Sequence, residues 1–247
     1  MNASPEDQLR LLDVQELDST LDRLEHRRTT LPELAEIDTL TERATSLGDE
    51  IVMAETEDSD LGREQAKVDT DVEQVRARMT RDQQRLDSGA VTNPKDLERL
   101  QHELVSLERR ISDLEDAELD VMERLEATQT ALAELQAQVT STEGRAAELT
   151  EARDKRVAQI REEAERVARE RAAAVQGMPE DLLALYERLR EQKGGIGAAL
   201  LRARQCEGCR MQLDNAVLAS IAKQPSDEVV RCEECSRILV RTGESGL

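Results

Sequence analysis

The chain contains no tryptophan, no phenylalanine and a single tyrosine among its 247 residues. Aromatic rings supply much of the buried area of an ordinary globular core. Their absence argues against one compact globule of this length. Glycine and proline are scarce too, at 11 and 5, so little interrupts long helices. No apolar run approaches the ~20 residues that a membrane-spanning helix needs. The first residues, MNASPEDQLRLLDV, lack the basic and apolar regions of an export signal. These absences lead us to expect a cytoplasmic chain that does not engage a membrane. No Ser/His/Asp set, phosphate loop or paired catalytic carboxylates stand out. The expectation is therefore a non-enzymatic protein with no small-molecule substrate.

What the chain does have is charge and regular leucine. Charged residues make up 36% and the formal net charge is -20. From Gly194 onward there are seven basic and seven acidic side chains, so that segment is formally neutral. The remainder holds 27 basic and 47 acidic side chains and carries the whole -20. An acidic stretch of that size repels phosphates and argues against wrapping duplex nucleic acid along its length.

The apolar spacing is helical. In the first long segment Ile37, Leu40, Ala44, Leu47, Ile51 and Ala54 step by three and four. The pattern continues through Leu61, Val68, Val72, Val75, Met79 and Leu86, with Asp58, Gln65 and Asp82 at the remaining seam positions. That is a heptad seam with polar interruptions. A second seam runs from Leu97 through Leu104, Ile111, Val121, Leu132 and Leu149. Pro32 marks a kink or break near residues 30–33, since proline removes an intrahelical bond. Between the seams Gly89 can reverse the chain, and Asn93-Pro94 is a helix-start signal. Two seams joined by a short turn predict an antiparallel hairpin, a rod of roughly 120 Å at 1.5 Å per residue. Its competitor is a parallel dimer of extended helices.

The chemistry-bearing residues are cysteines. Cys206, Cys209, Cys232 and Cys235 are the only four, arranged as CEGC and CEEC with 22 residues between. Two C-x-x-C pairs at this separation have the spacing of a tetrahedral Zn(Cys)4 site. Disulfides need an oxidising compartment. A thioredoxin-like site needs a βαβ pattern that is missing. An iron–sulfur cluster also takes four thiolates, but paired knuckles fit zinc better. One structural Zn2+ is the expected cofactor, and four thiolates leave no open position for a catalytic water.

The fold class expected is mainly α: a long antiparallel coiled-coil hairpin followed by a small α+β zinc ribbon. The expected domains are the hairpin, 1–177, with its turn near 87–94, a connecting helix, 178–193, and the zinc ribbon, 194–247. Strand-like IGAALLRARQ would enter the first knuckle, and Asp214 would cap a short helix. So small a ribbon would depend on zinc for its fold.

Three stretches resemble one family: NPKDLERLQHEL from Asn93, YERLREQKGGIGAALLRARQCEGCRMQL from Tyr186, and VVRCEECSRILV from Val229. The chain is similar to the bacterial C4-type zinc-ribbon, coiled-coil hairpin proteins, a domain of unknown function with a RING-like zinc-ribbon C-terminus. The resemblance implies a non-enzymatic scaffold. It also implies protein partners, those of the transcription machinery among them, or RNA, according to the member.

Two surfaces are candidates for contact. The first is the hairpin tip, with Asn93, Pro94, Lys95, Asp96, Gln101 and His102. Asn93 and Pro94 are also the residues that a turn itself requires. The second is the ribbon, where Arg202, Arg204, Arg210, Arg231, Arg237 and Arg241 form an arginine set. Strand alternation would put Arg202 and Arg204 on one face. Nucleic acid, RNA or DNA, is the alternative partner there, although no aromatics exist to stack on bases. The opposing expectation is a solvated surface with arginines paired to Glu207, Glu233 and Glu234.

Overall fold

The computed structural model describes residues 1–247. Five helices and four short strands follow the sequence signals closely. Helix α1 spans Pro5–Thr29, α2 Pro32–Asp87, α3 Pro94–Ala174 and α4 Glu180–Gln192. Strands β1 (Ala198–Arg202) and β2 (Gln205–Cys206) precede α5 (Asn215–Lys223), and β3 (Val230–Arg231) and β4 (Ile238–Val240) follow it. Pro32 opens α2 and the chain breaks after Thr29, because a first-turn proline has no donor to lose. The chain forms two compact units, one of residues 35–150 and one of residues 1–34 with 151–247.

In the unit of residues 35–150, α2 and α3 run antiparallel. Ion pairs joining Arg76 to Glu115 and Arg145 to Glu36 fix that direction. Leu47, Leu61, Val72, Leu104, Leu114 and Val121 are buried at the seam. Its polar members Asp58, Gln65 and Asp82 are half-buried in the same stripe. Gly89 adopts φ +67° in the turn, a conformation that costs other residues.

In the other unit α1 and α4 cover one face of a four-stranded sheet ordered β2-β1-β4-β3. Strands β1 and β4 are parallel, with Ala198 opposite Ile238 and Leu200 opposite Val240. Alternation sends Ala198, Ile238 and Val240 into a core with Leu11, Val14, Leu182, Tyr186 and Leu189. It sends Ala199, Leu201 and Leu239 to the other face, against Leu218 and Ile221 of α5 and the cysteines. Both faces are therefore buried. Beside the metal position expected from the sequence, the ribbon has a second anchor in α1 and α4. The reason is α1, whose apolar stripe packs on the sheet rather than only continuing a coiled coil.

Polar contacts lock α1 in place. The Gln15 side chain accepts from the Gly197 amide at 2.7 Å and donates to the Gly195 carbonyl at 2.8 Å. Residues before α1 join the ribbon directly: the Ala3 amide donates to Asp227 O at 2.7 Å, and Val229 N–H donates to Met1 O at 3.1 Å. Asp18, 2% exposed, accepts from the Tyr186 hydroxyl at 2.7 Å and Arg171 Nε at 2.6 Å. Burial, with the adjacent Asp18 carboxylate, pushes the Tyr186 hydroxyl well above its ordinary pKa. The hydrogen bond to Asp18 likewise raises Arg171. At Gly197 the fold permits no side chain, since an added Cβ would sit 2.5 Å from the Tyr186 carbonyl oxygen.

Candidate metal centre

Each C-x-x-C pair sits in a tight knuckle at the edge of the sheet. Cys206 closes β2, and its carbonyl accepts from the Arg210 amide at 2.7 Å. Cys232 follows β3, and its carbonyl accepts from the Ser236 amide at 2.8 Å. The two turns are built alike. Arg210 (φ +61°) and Ser236 (φ +65°) both take the left-handed conformation that bends the chain after the second cysteine. The Cys232 amide donates to Arg237 O at 3.0 Å and closes the second loop.

The four Sγ atoms lie within 4.8 Å of one another. Cys206 and Cys235 approach to 3.9 Å, and so do Cys209 and Cys232. A tetrahedral zinc with Zn–S of about 2.3 Å requires S···S edges of about 3.8 Å. The donor set and spacing therefore fit one Zn2+ held by Cys206, Cys209, Cys232 and Cys235. Such an ion cross-links two distant segments and, with four thiolates, has no place for substrate.

The thiols are tuned by burial. Desolvation pushes Cys206 and Cys232 above the ordinary thiol range, partly offset by knuckle amides. Cys235 is different. Burial raises it too, but hydrogen bonds from Arg237 and from the neighbouring thiols outweigh that and bring it down to about 7. A cation inserted among these sulfurs supplies the positive charge that burial otherwise denies the thiolates.

The ribbon arginines divide by what they touch. Arg237 donates through Nε to Ile196 O at 2.9 Å and through Nη2 to Lys193 O at 2.6 Å. Arg241 spans four carbonyls, those of Ile221, Gln224, Pro225 and Glu228, at 2.6 to 3.3 Å. Both guanidinium groups tie together pieces of the ribbon. Arg202 pairs with Glu244 at 2.9 Å and more loosely with Glu207 at 3.7 Å. Arg231 is exposed and gives one donor to Ser236 O at 2.9 Å. Arg204 and Arg210 are exposed and have no carboxylate within 4.0 Å.

The expected shared strand face of Arg202 and Arg204 does not form. Strand β1 ends at Arg202, and Ala203 (φ +44°) and Arg204 (φ +70°) make the two-residue turn to β2. Positive φ at both turn residues matches the twist of a hairpin. The C-terminal segment braces this turn, with the Ala203 amide donating to Glu244 O and the Arg204 amide to Ser245 O at 2.8 and 2.9 Å.

At the hairpin tip, Asn93 caps α3. Its Oδ1 accepts from the Lys95 amide at 3.1 Å, and its carbonyl accepts from Leu97 at 3.0 Å. Pro94 is the first residue of α3. Lys95, Asp96, Gln101 and His102 are exposed there. No helix of the chain is long and apolar enough to cross a membrane.

Comparison with known proteins agrees with this architecture. Residues 14–194 match the model of the CT398-like coiled coil hairpin domain, and residues 205–239 match the C4-type zinc ribbon domain. An uncharacterised protein of Mycobacterium tuberculosis is 36% identical, with 98% of each chain covered. One from Mycobacterium leprae is 29% identical over 90% of this chain and 95% of its own. Among solved structures, one from Mycobacterium smegmatis superposes with a TM-score of 0.84 at 33% identity, covering 98% of this chain and 100% of that one. CT398 from Chlamydia trachomatis has a TM-score of 0.72 at 22% identity, covering 96% and 98%, and shares the fold.

Proposed function

The chain belongs to the CT398-like coiled-coil hairpin family and carries its C4-type zinc ribbon; from that premise we propose that it is a non-enzymatic adaptor that contacts protein partners through the hairpin tip and the zinc ribbon. The observation that carries this reading is the cluster of four sulfurs within 4.8 Å. A metal with four thiolate ligands builds a module and presents no reaction centre. The exposed Lys95, Gln101 and His102 at the tip, and Arg204 and Arg210 on the ribbon, are the side chains free to meet a partner. Components of the transcription machinery are the partner class that the family resemblance implies, and a cytoplasmic setting goes with it.

Affinity capture from the native cell tests the reading. Bound proteins should be lost when Lys95 and His102, or Arg204 and Arg210, are replaced by Glu. Partners that persist through both replacements would sink it.

A second reading, nucleic-acid binding by the ribbon, draws support from Arg204, Arg210 and Arg231, which are exposed and without carboxylate partners. It calls for RNA or DNA binding that weakens steeply with salt and on replacing Arg204 and Arg210. No binding at low salt rules it out.

A further inference from the structure

Charge is distributed very unevenly within residues 35–150. The stretches 35–75 and 111–150 together hold 23 acidic and five basic side chains. Residues 76–110, which include the turn, hold eight basic and six acidic ones. Within this stretch, set back from the turn, an open groove of about 850 Å3 lies between α2 and α3. Its walls carry Arg78, Arg81 and Arg110, its floor includes Val75, Ala77 and Leu107, and no carboxylate lines it. In a chain with 54 acidic residues, a carboxylate-free wall with three arginines is a distinct surface. Arg78 is engaged by Glu103 and Asp82. Arg81 and Arg110 are exposed with no carboxylate within 4.0 Å.

We propose that this groove docks an acidic amphipathic segment of a partner protein, an inference that rests on the adaptor reading and assigns a chemistry to one of its contacts. Arg81 and Arg110 meet the acidic side of the segment, while the accessible Val75 and Ala77, above the buried Leu107, meet its apolar side. Helix-in-groove recognition uses this combination of an apolar floor and a charged rim. Charge complementarity fixes the sign of the partner. A nucleic acid fits the surface less well. The unit has no Phe, Tyr or Trp on which bases could stack, and the acidic stretches flanking the groove repel a continuing phosphate chain.

The test uses the full zinc-loaded chain and a fluorescein-labelled peptide of about 18 residues, built from Glu, Ala and Leu with leucines at i, i+3, i+4 and i+7 spacing. Anisotropy should show binding at about 50 mM salt that weakens about tenfold or more in the Arg81→Glu/Arg110→Glu variant and at about 300 mM salt. A scrambled peptide of the same composition should bind more weakly. Circular dichroism checks that the variant stays helical, and Arg81→Gln/Arg110→Gln serves if it does not.

Three results overturn the inference. The first is peptide binding that is absent or indifferent to the arginine substitutions. The second is a single-stranded oligonucleotide that binds more tightly than the peptide and depends on these arginines. The third is self-association, seen by sedimentation, that the substitutions abolish. If the groove fails while native-cell capture through tip and ribbon holds, the adaptor reading stands. If capture yields no partner at all, the adaptor reading fails.

Discussion

At the scale of single residues, Asp18 holds together a buried polar network. It is buried, accepts from Tyr186 and Arg171, and lies 3.6 Å from Arg190 Nε. Removing one partner of a buried charged network leaves the others desolvated and unpaired. Asp18→Asn keeps the shape and an acceptor for Tyr186 but discards the charge facing two arginines. Denaturant unfolding should show a loss of about 3 kcal/mol. A loss below about 0.5 kcal/mol would mean that the network is dispensable. Nothing in the sequence announced Asp18. Its partners are 153 and 168 positions away, and such a pairing has no periodic signature. The cysteines were legible for the opposite reason: each pair is local, and metal geometry demands the spacing. Arg237 and Arg241 read in sequence as potential contact residues, whereas the structure spends both on backbone carbonyls. Only the folded chain reveals that use.

At the scale of elements, the two long helices show how far pattern alone reaches. Their seams, the break before Pro32 and the Asn93-Pro94 start are local or periodic, and all could be read from the chain. The docking of α1 on the sheet could not, because Leu11 and Val14 belong equally to a coiled-coil stripe and to a core-facing one. The polar seam residue Asp58 should carry a cost. Its Oδ1 is buried with no hydrogen-bond partner. Replacing Asp58 with Leu should stabilise the hairpin by about 1 to 2 kcal/mol, seen as a higher thermal midpoint. A lower midpoint would show that the carboxylate is instead satisfied by a partner.

Zinc removal acts on elements too. Because β1 and β4 also pack on α1 and α4, chelation should expose the amides of the knuckles and α5 to rapid hydrogen exchange. Those of α1 to α4 should stay protected, with little loss of helical signal. Loss of protection throughout α4 and β4 would show that the metal, not α1, anchors the ribbon.

At the scale of the whole molecule, composition and function meet. The chain lacks aromatics, and its helices are stabilised by aliphatic seams. The exceptions are concentrated: one tyrosine buried beside Asp18, and four cysteines gathered around one metal position. The formal charge of -20 falls outside the residues after Gly194, so the ribbon can meet partners that the acidic helices repel. The adaptor account depends on the metal being structural, with its coordination shell closed by protein. Acid should release it, because protons compete for the same sulfurs and affinity falls as pH falls. The most direct measurement is X-ray absorption at the zinc edge of the purified full chain, with metal content determined on the same sample. The account predicts one zinc per chain with four sulfur ligands at about 2.3 Å and no lighter ligand. A water oxygen in place of a sulfur would open the coordination shell to substrate and contradict it.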